Sequence, residues 1–337
     1  MKHYKAHILS QKRTILQDVI PLPAPFTILV EVSRLCNFKC VFCPQSDKDN
    51  FSFFSKNLMD MEMFEHLVSQ MLDFPQKIKK VYMHGTGEST LNPHLADMIA
   101  FLKHKNAAEY IDLTTNGILL TEKLINELID SGLDHLHISI EALSTEQYTE
   151  ITGVNTVIFE QLVEKIQMLS QQRKKCRLSI KIANISLKSQ DDKKCFINKF
   201  SPLCDEIFIE NIFPIWPGFT MPNLPIANTQ GNGQYGELRT DKNVCPQIFT
   251  TLAVKCDGSV SPCSMDWNNQ IVLGNFLDKP LLEMWQGSDL RELRLQHLQM
   301  GRKHVNLCMG CGLPENSCID NIDAYRDELT EKLSELG

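Results

Sequence analysis

The sequence has no apolar run near the roughly 18 to 20 residues that span a bilayer, so a helical membrane protein is not expected. Its opening stretch, MKHYKAHILSQKRTILQDVI, lacks the apolar core and small-residue cleavage site of a secretory signal, and a cytoplasmic protein is expected. Positive charge is short as well. Against 41 Asp and Glu stand 34 Lys and Arg, a formal net charge of −7, which leaves no chain-wide basic field for a phosphate backbone and keeps nucleic acid off the list of expected partners. The basic runs KIKK (77–80) and RKK (173–175) read as solvated helix or strand ends. Internal repeats and low-complexity tracts are missing too. What the chain does have is 43% hydrophobic content over 337 residues, enough to bury a sizeable core in one large domain with an appendage or in two moderate domains.

It also has 12 cysteines, and a reducing cytosol does not favour structural disulfides. Three fall within eight residues near the N-terminus and six lie between 245 and 318, while Cys176, Cys195 and Cys204 stand scattered between. Clustered cysteines read as metal ligands and isolated ones as small buried hydrophobes.

From residue 27 onward, short β-branched runs alternate with amphipathic helical patterns, the signature of successive βα units. Strands are predicted at 27–32, 80–84, 110–115, 135–140, 177–183 and 206–211, and helices at 59–72, 93–105, 121–132, 157–173 and 190–200, with Thr121 as an N-cap and Gly132 as a stop. Six parallel strands with crossover helices make an α/β fold, a partial (β/α)6 barrel, since closure needs about eight. The Pro-, Gly- and Asn-rich stretch 213–237 forbids a continued helix or central strand, and is either a linker or a cover over a site. Residues 249–264 read as a β-hairpin turning at Asp257-Gly258 with both turn residues at positive φ, and helical stretches at 280–300 and 320–335 complete a small cysteine-rich C-terminal module. The expected divisions are 1–25 as an extension, 26–212 as the barrel, 213–240 as linker or cover, and 241–337 as the C-terminal module.

The segment RLCNFKCVFC follows the first strand directly, so Cys36, Cys40 and Cys43 lie at the carboxyl end of a parallel sheet, where α/β active sites gather. Three thiolates can hold three irons of a cubane and leave the fourth open to a cofactor; zinc is the alternative, though it usually takes a fourth protein ligand. This C-x3-C-x2-C spacing, with Phe42 just before the last cysteine, resembles the radical S-adenosylmethionine (radical SAM) superfamily. The resemblance implies that SAM chelates the open iron and is cleaved to a 5′-deoxyadenosyl radical. It also implies SAM contacts at strand ends: Phe42; the HGTGEST loop with Thr86, Gly87 and Glu88, where Thr86 replaces the first glycine of a Gly-Gly-Glu pattern; Thr115 and Asn116 of TTNG; and Ser139 and Glu141 of SIEA. It covers roughly residues 25 to 212.

In the second constellation, Cys245 and Cys263 are separated by 17 residues that span the hairpin, and Cys308 and Cys311 form a C-x2-C pair. Four such thiols can converge on one cluster, and spacing alone leaves tetrahedral zinc open. The arrangement resembles the SPASM extension, in its shortened Twitch form, and implies one auxiliary [4Fe–4S] cluster. Cys256 reads as a non-ligand, and Cys318 as either a substitute for one of the four or a ligand of a second cluster.

A fully ligated auxiliary cluster is suited to carrying electrons. By resemblance to the Twitch-type aminocyclitol dehydrogenases, the expected activity is hydrogen abstraction from a small hydroxylated, carbohydrate- or aminocyclitol-like substrate, with oxidation, dehydration or epimerisation to follow. Crosslinking or epimerisation of a ribosomal peptide is the alternative, although only about 26 residues precede the first strand, few for a leader-binding domain. A non-catalytic iron–sulfur carrier would be expected to lack the open-iron motif. Polar strand-end residues His137, Lys181, Asn184 and Glu210, with Trp216, are the substrate candidates. Lys181 and Glu210 are candidates for the base that takes the hydroxyl proton. A flavodoxin- or ferredoxin-like reductant is the expected partner.

Overall fold

The computed structural model describes residues 13–47, 57–221, 229 and 231–335. Six parallel strands form its centre: β1 (Thr27–Val30), β2 (Ile78–Met83), β3 (Ala108–Thr115), β4 (His135–Ile140), β5 (Arg177–Ala183) and β6 (Glu206–Glu210). They lie side by side in the order β6-β5-β4-β3-β2-β1, an open partial barrel. Helices Met61–Met71, Leu95–Lys105, Glu122–Asp130, Phe159–Gln172 and Gln190–Phe200 follow the strands and supply the crossovers that parallel pairing requires. Period-2 alternation divides the strands. Ile111, Leu113, Leu136, Ile138, Ile180 and Ile182 are buried in the main core, whereas Tyr82, Asp112, His137, Ser179, Lys181 and Glu206 alternate with them and meet one another on the other face.

Local signals set the helix starts. Asp60, Thr121 and Ser189 each accept an N–H from the first turn of their helix, and Ser189 and Asp192 form a reciprocal capping box. Helix Thr145–Thr152 was not foreseen from the sequence. Ser144 caps it and Gly153, at φ 67°, ends it.

The C-terminal module is less separate than its composition suggested. Strand β7 (Thr251–Val254) pairs in parallel with the free edge of β1, and β8 (Ser259–Ser261) and β9 (Gly274–Asn275) continue the sheet antiparallel to nine strands. The hairpin thereby covers an edge that β1 would otherwise expose. Its turn also differs from expectation. Cys256 and Asp257 are the central residues, the Gly258 N–H donates to the Lys255 carbonyl at 3.0 Å, and only Gly258 has a positive φ, 87°. A three-residue loop, closed here by the Lys255 N–H donating to the Ser259 carbonyl at 2.9 Å, needs one left-handed residue at its end, whereas a two-residue type I′ turn needs two. The stretch 280–300 is two helices, Leu281–Gln286 and Ser288–Gln299, divided at Gly287, and helix Arg326–Ser334 packs on the second. Of the scattered cysteines, Cys176 and Cys204 are buried as expected, but Cys195 is exposed, on a turn of helix Gln190–Phe200 that faces away from the core.

Candidate active site

The loop after β1 brings three thiols together. Its start is pinned by a fully buried ion pair, Arg34 to Glu31 at 2.6 Å, and the other Glu31 oxygen accepts from the Thr86 N–H at 2.9 Å and hydroxyl at 2.6 Å. The neighbouring loop packs directly on it. A Cβ on Gly87 would lie 2.6 Å from the Leu35 carbonyl oxygen, and the Glu88 N–H donates to that carbonyl at 2.8 Å. On the far side, helix Thr145–Thr152 offers its last carbonyls: Ile151 to the Val41 N–H and Thr152 to the Lys39 N–H. Buried Phe38 and Tyr148 meet with ring centres 6.1 Å apart. Burial pushes the Cys36 thiol up to about 11 and Cys43 to about 12, and Cys40 is raised further by burial, by Glu141 and by the other two cysteines. Buried, mutually repelling thiolates are tolerable only around a cation, and so this set suits a metal cluster.

Five thiols meet in the C-terminal module. Cys263 and Cys318 pack with Met265, Leu313, Cys311, Ile215 and Trp216, and Cys245, Cys263, Cys308 and Cys311 line one small apolar cavity. Cys245 is pushed up by burial and by Cys318, Cys263 and Cys311, while burial takes Cys263, Cys308 and Cys311 to about 12 and Cys318 to about 11. Cys318 therefore belongs to the same cluster of side chains as the four expected residues. Cys256 does not. It is buried at the hairpin turn with Glu31, Arg34 and Asp257 for neighbours.

The radical SAM superfamily profile matches residues 30–185, and that of an iron–sulfur cluster-binding domain, SPASM, matches residues 245–312. The chain contains a radical SAM domain and a SPASM domain. A Pyrococcus furiosus protein named as a tungsten-containing aldehyde ferredoxin oxidoreductase cofactor-modifying protein is 23% identical, over 77% of this chain and 80% of that one. Two solved structures share the fold. BtrN in complex with AdoMet and 2-DOIA is 18% identical with a TM-score of 0.55 over 89% of this chain and 98% of that one. Streptococcus suis SuiB bound to precursor peptide SuiA is 17% identical with a TM-score of 0.56 over 94% and 75%. The cofactors are accordingly SAM, a SAM-binding [4Fe–4S] cluster and auxiliary iron–sulfur.

Within the radical SAM domain the other expected residues fall into two groups. Glu88, Thr115 and Asn116 hold one another: the Glu88 carboxylate accepts from the Thr115 hydroxyl at 2.6 Å, the Asn116 N–H at 2.8 Å and the Thr90 hydroxyl at 2.5 Å, and the Asn116 amide reaches Asn37 at 2.7 Å. Phe42 is half-buried against the core. The second group lies across the mouth of the barrel. Lys181 donates to Glu210 at 2.6 Å, Ser139 is opposite Lys181 in the β4–β5 register, and Glu141 follows β4 with its carboxyl buried. The charge of Glu141 acts on all three cluster thiols, and Lys181 and Glu210 act on Glu141.

Three substrate candidates are placed elsewhere. Trp216 packs with the SPASM thiols, because its loop runs along that module. Asn184 is occupied, its side-chain oxygen Oδ1 accepting the Ile212 N–H at 3.1 Å, and His137 turns to Asp112 deeper in the barrel. Sequence reading missed Gln234 and Tyr235. The Gln234 amide donates to Glu210 at 2.8 Å while its oxygen accepts from Ser317, and the Tyr235 ring meets inner-face Phe208 edge-on at 6.0 Å. The described part of the 213–240 stretch thus ties Glu210 of β6 to Ser317 of the SPASM end through Gln234. Among the described residues no helix is long and apolar enough to cross a membrane.

Proposed function

We propose that this chain is a radical SAM oxidoreductase acting on a small hydroxylated, carbohydrate- or aminocyclitol-like compound, and that it completes the oxidation through one auxiliary [4Fe–4S] cluster. The observation that carries this reading is Glu141, a buried carboxyl within electrostatic reach of both the cluster thiols and the Lys181–Glu210 pair. Burial pushes its pKa up to about 7, with Lys181 pulling down and Glu210 pushing up. A carboxyl poised near neutrality is suited to take the hydroxyl proton of an alcohol. Lys181 is not: burial pulls its pKa down, but Glu210 outweighs burial and holds the ammonium above its usual value. Lys181 and Glu210 instead orient the substrate's hydroxyl or amino groups as a charged pair.

Cys36, Cys40 and Cys43 hold the SAM cluster, and Cys245, Cys263, Cys308 and Cys311, with Cys318 at hand, hold the auxiliary one. When bound, these groups supply a carbon radical that removes a hydrogen atom and an acceptor for one electron. Glu141 takes the hydroxyl proton, so the substrate loses one hydrogen atom, one proton and one electron, a two-electron oxidation. Phe42, Thr86, Gly87, Ser139 and the loop around Asn116 line SAM. Since Glu88 and Thr115 are occupied by each other, they act by shaping that loop. Gln234 and Tyr235 keep water from the barrel mouth. A flavodoxin- or ferredoxin-like donor in the cytoplasm supplies the priming electron.

The fold shared with SuiB, solved with a precursor peptide, favours a second reading, crosslinking or epimerisation of a ribosomal peptide. An open cavity of about 440 Å³ lined by Arg239, Arg302, Glu315 and Cys311 gives an extended chain a way toward the SPASM thiols. The deciding experiment incubates the cluster-loaded enzyme with SAM, reductant and either C-deuterated polyols and aminocyclitols or candidate peptides. Deuterium entering 5′-deoxyadenosine together with a small product lighter by two hydrogens supports the first reading; transfer from peptides alone overturns it.

A further inference from the structure

Below the Lys181–Glu210 pair, the inner face of the barrel carries a group that the proposed oxidation does not use. Asp112 of β3 is opposite His135 of β4 in the strand register, and His137 follows two residues on, on the same face. One ligand atom from each of the three lies within 4.8 Å of the others. Asp112 and His135 are buried, and His137 is partly open to the lumen.

Hydrogen-bond arithmetic settles which atoms face each other. Ser179 has one hydroxyl hydrogen and donates it to the Glu206 carboxylate at 3.1 Å, which can only accept. Its oxygen, 2.6 Å from His135 Nε2, must then accept from an Nε2–H. With Nε2 protonated, the neutral form of His135 presents the lone pair of Nδ1 to Asp112, 3.8 Å from Oδ1. His137 Nε2 stands 3.7 Å from Asp112 Oδ2, and neither it nor Asp112 Oδ1 has a hydrogen-bond partner. Such distances are too long for hydrogen bonds. They are close to those between two ligands of one ion held at about 2.0–2.2 Å, Oδ1 facing His135 and Oδ2 facing His137.

We propose that Asp112, His135 and His137 form a binding site for a first-row divalent cation of the zinc type on the floor of the barrel. Two imidazoles and one carboxylate on one face make a three-ligand site with its remaining position open to the lumen. The outer contacts resemble those of such sites. The His135–Ser179–Glu206 chain fixes the ring and its tautomer, and Lys80 holds Asp112 Oδ2, the oxygen that faces His137, at 2.7 Å. Lys80 belongs to the run read from the sequence as a solvated strand end. Its side chain remains 31% exposed, so the ammonium can swing out to water as a cation enters.

The test is equilibrium dialysis of the cluster-loaded protein against Zn2+, with zinc and iron counted per chain. The expected result is a zinc ion bound in addition to the clusters, weakened at least about 100-fold in His137→Gln and about 10-fold in Ser179→Ala, with the iron count unchanged in both. Ser179→Ala keeps all three ligands, so it covers the case in which His137→Gln fails to fold. Zinc uptake that is absent in the wild type, that is equal in wild type and both variants, or that rises only as iron is lost would overturn the proposal.

Discussion

A buried carboxyl that titrates near pH 7 writes a limb into the pH profile. As the proposed base, Glu141 must be ionised to accept a proton and its pKa is raised, so product formation is expected to climb through about pH 7 and level off above it. In Glu141→Gln that limb should vanish and product should fall about 10²- to 10⁴-fold while SAM is still cleaved, measured as 5′-deoxyadenosine released per product formed. Equal loss of both would show Glu141 to be a SAM contact only. Gly87 marks the other sensitive residue, because a side chain there has only the backbone of the cysteine loop to push against. Gly87→Ala is expected to cost about 1–3 kcal/mol in denaturant unfolding and to lower iron at the SAM cluster.

Among the elements, the proposed cover over the barrel mouth hangs on Gln234, which bridges Glu210 and Ser317. Gln234→Ala leaves one Glu210 oxygen short of a donor and should raise KM more than it lowers kcat, with about 1–3 kcal/mol lost from stability. At the hairpin, Gly258→Val forces a β-branched residue to φ 87° and is expected to cost about 1 kcal/mol or more in thermal unfolding. The six parallel strands were legible in the sequence because each is a short apolar run rich in β-branched residues and the first five are followed by a helical pattern, and β4 and β5 fall on their predicted bounds. Helix Thr145–Thr152 was hidden by four β-branched threonines and isoleucines in eight residues, and tertiary support from Phe38 outweighs that propensity. The contacts of Gln234 were illegible for another reason: a glutamine in an irregular stretch carries no periodic signal, and its partners lie 24 and 83 residues away. Glu31 and Arg34 sat in plain view beside Cys36, but only the fold shows that their charges are buried against each other.

For the whole molecule, the chief feature is one sheet shared by two cysteine sites. Strand β1 leads into the first thiol loop and also pairs with β7, whose hairpin leads to Cys263. Burial holds the thiols of both sites protonated in the metal-free chain, so loading must release protons, and stripping the iron with a chelator is expected to lower the unfolding temperature. The central claim is that the two sites are separate clusters of different ligation. It is tested most directly by counting iron, sulfide and zinc per chain in anaerobically reconstituted protein and in a Cys36/Cys40/Cys43→Ala triple variant. About eight irons falling to about four is the predicted result. About four irons in the wild type, with zinc held by the SPASM cysteines in the variant, would contradict it and remove the proposed electron acceptor.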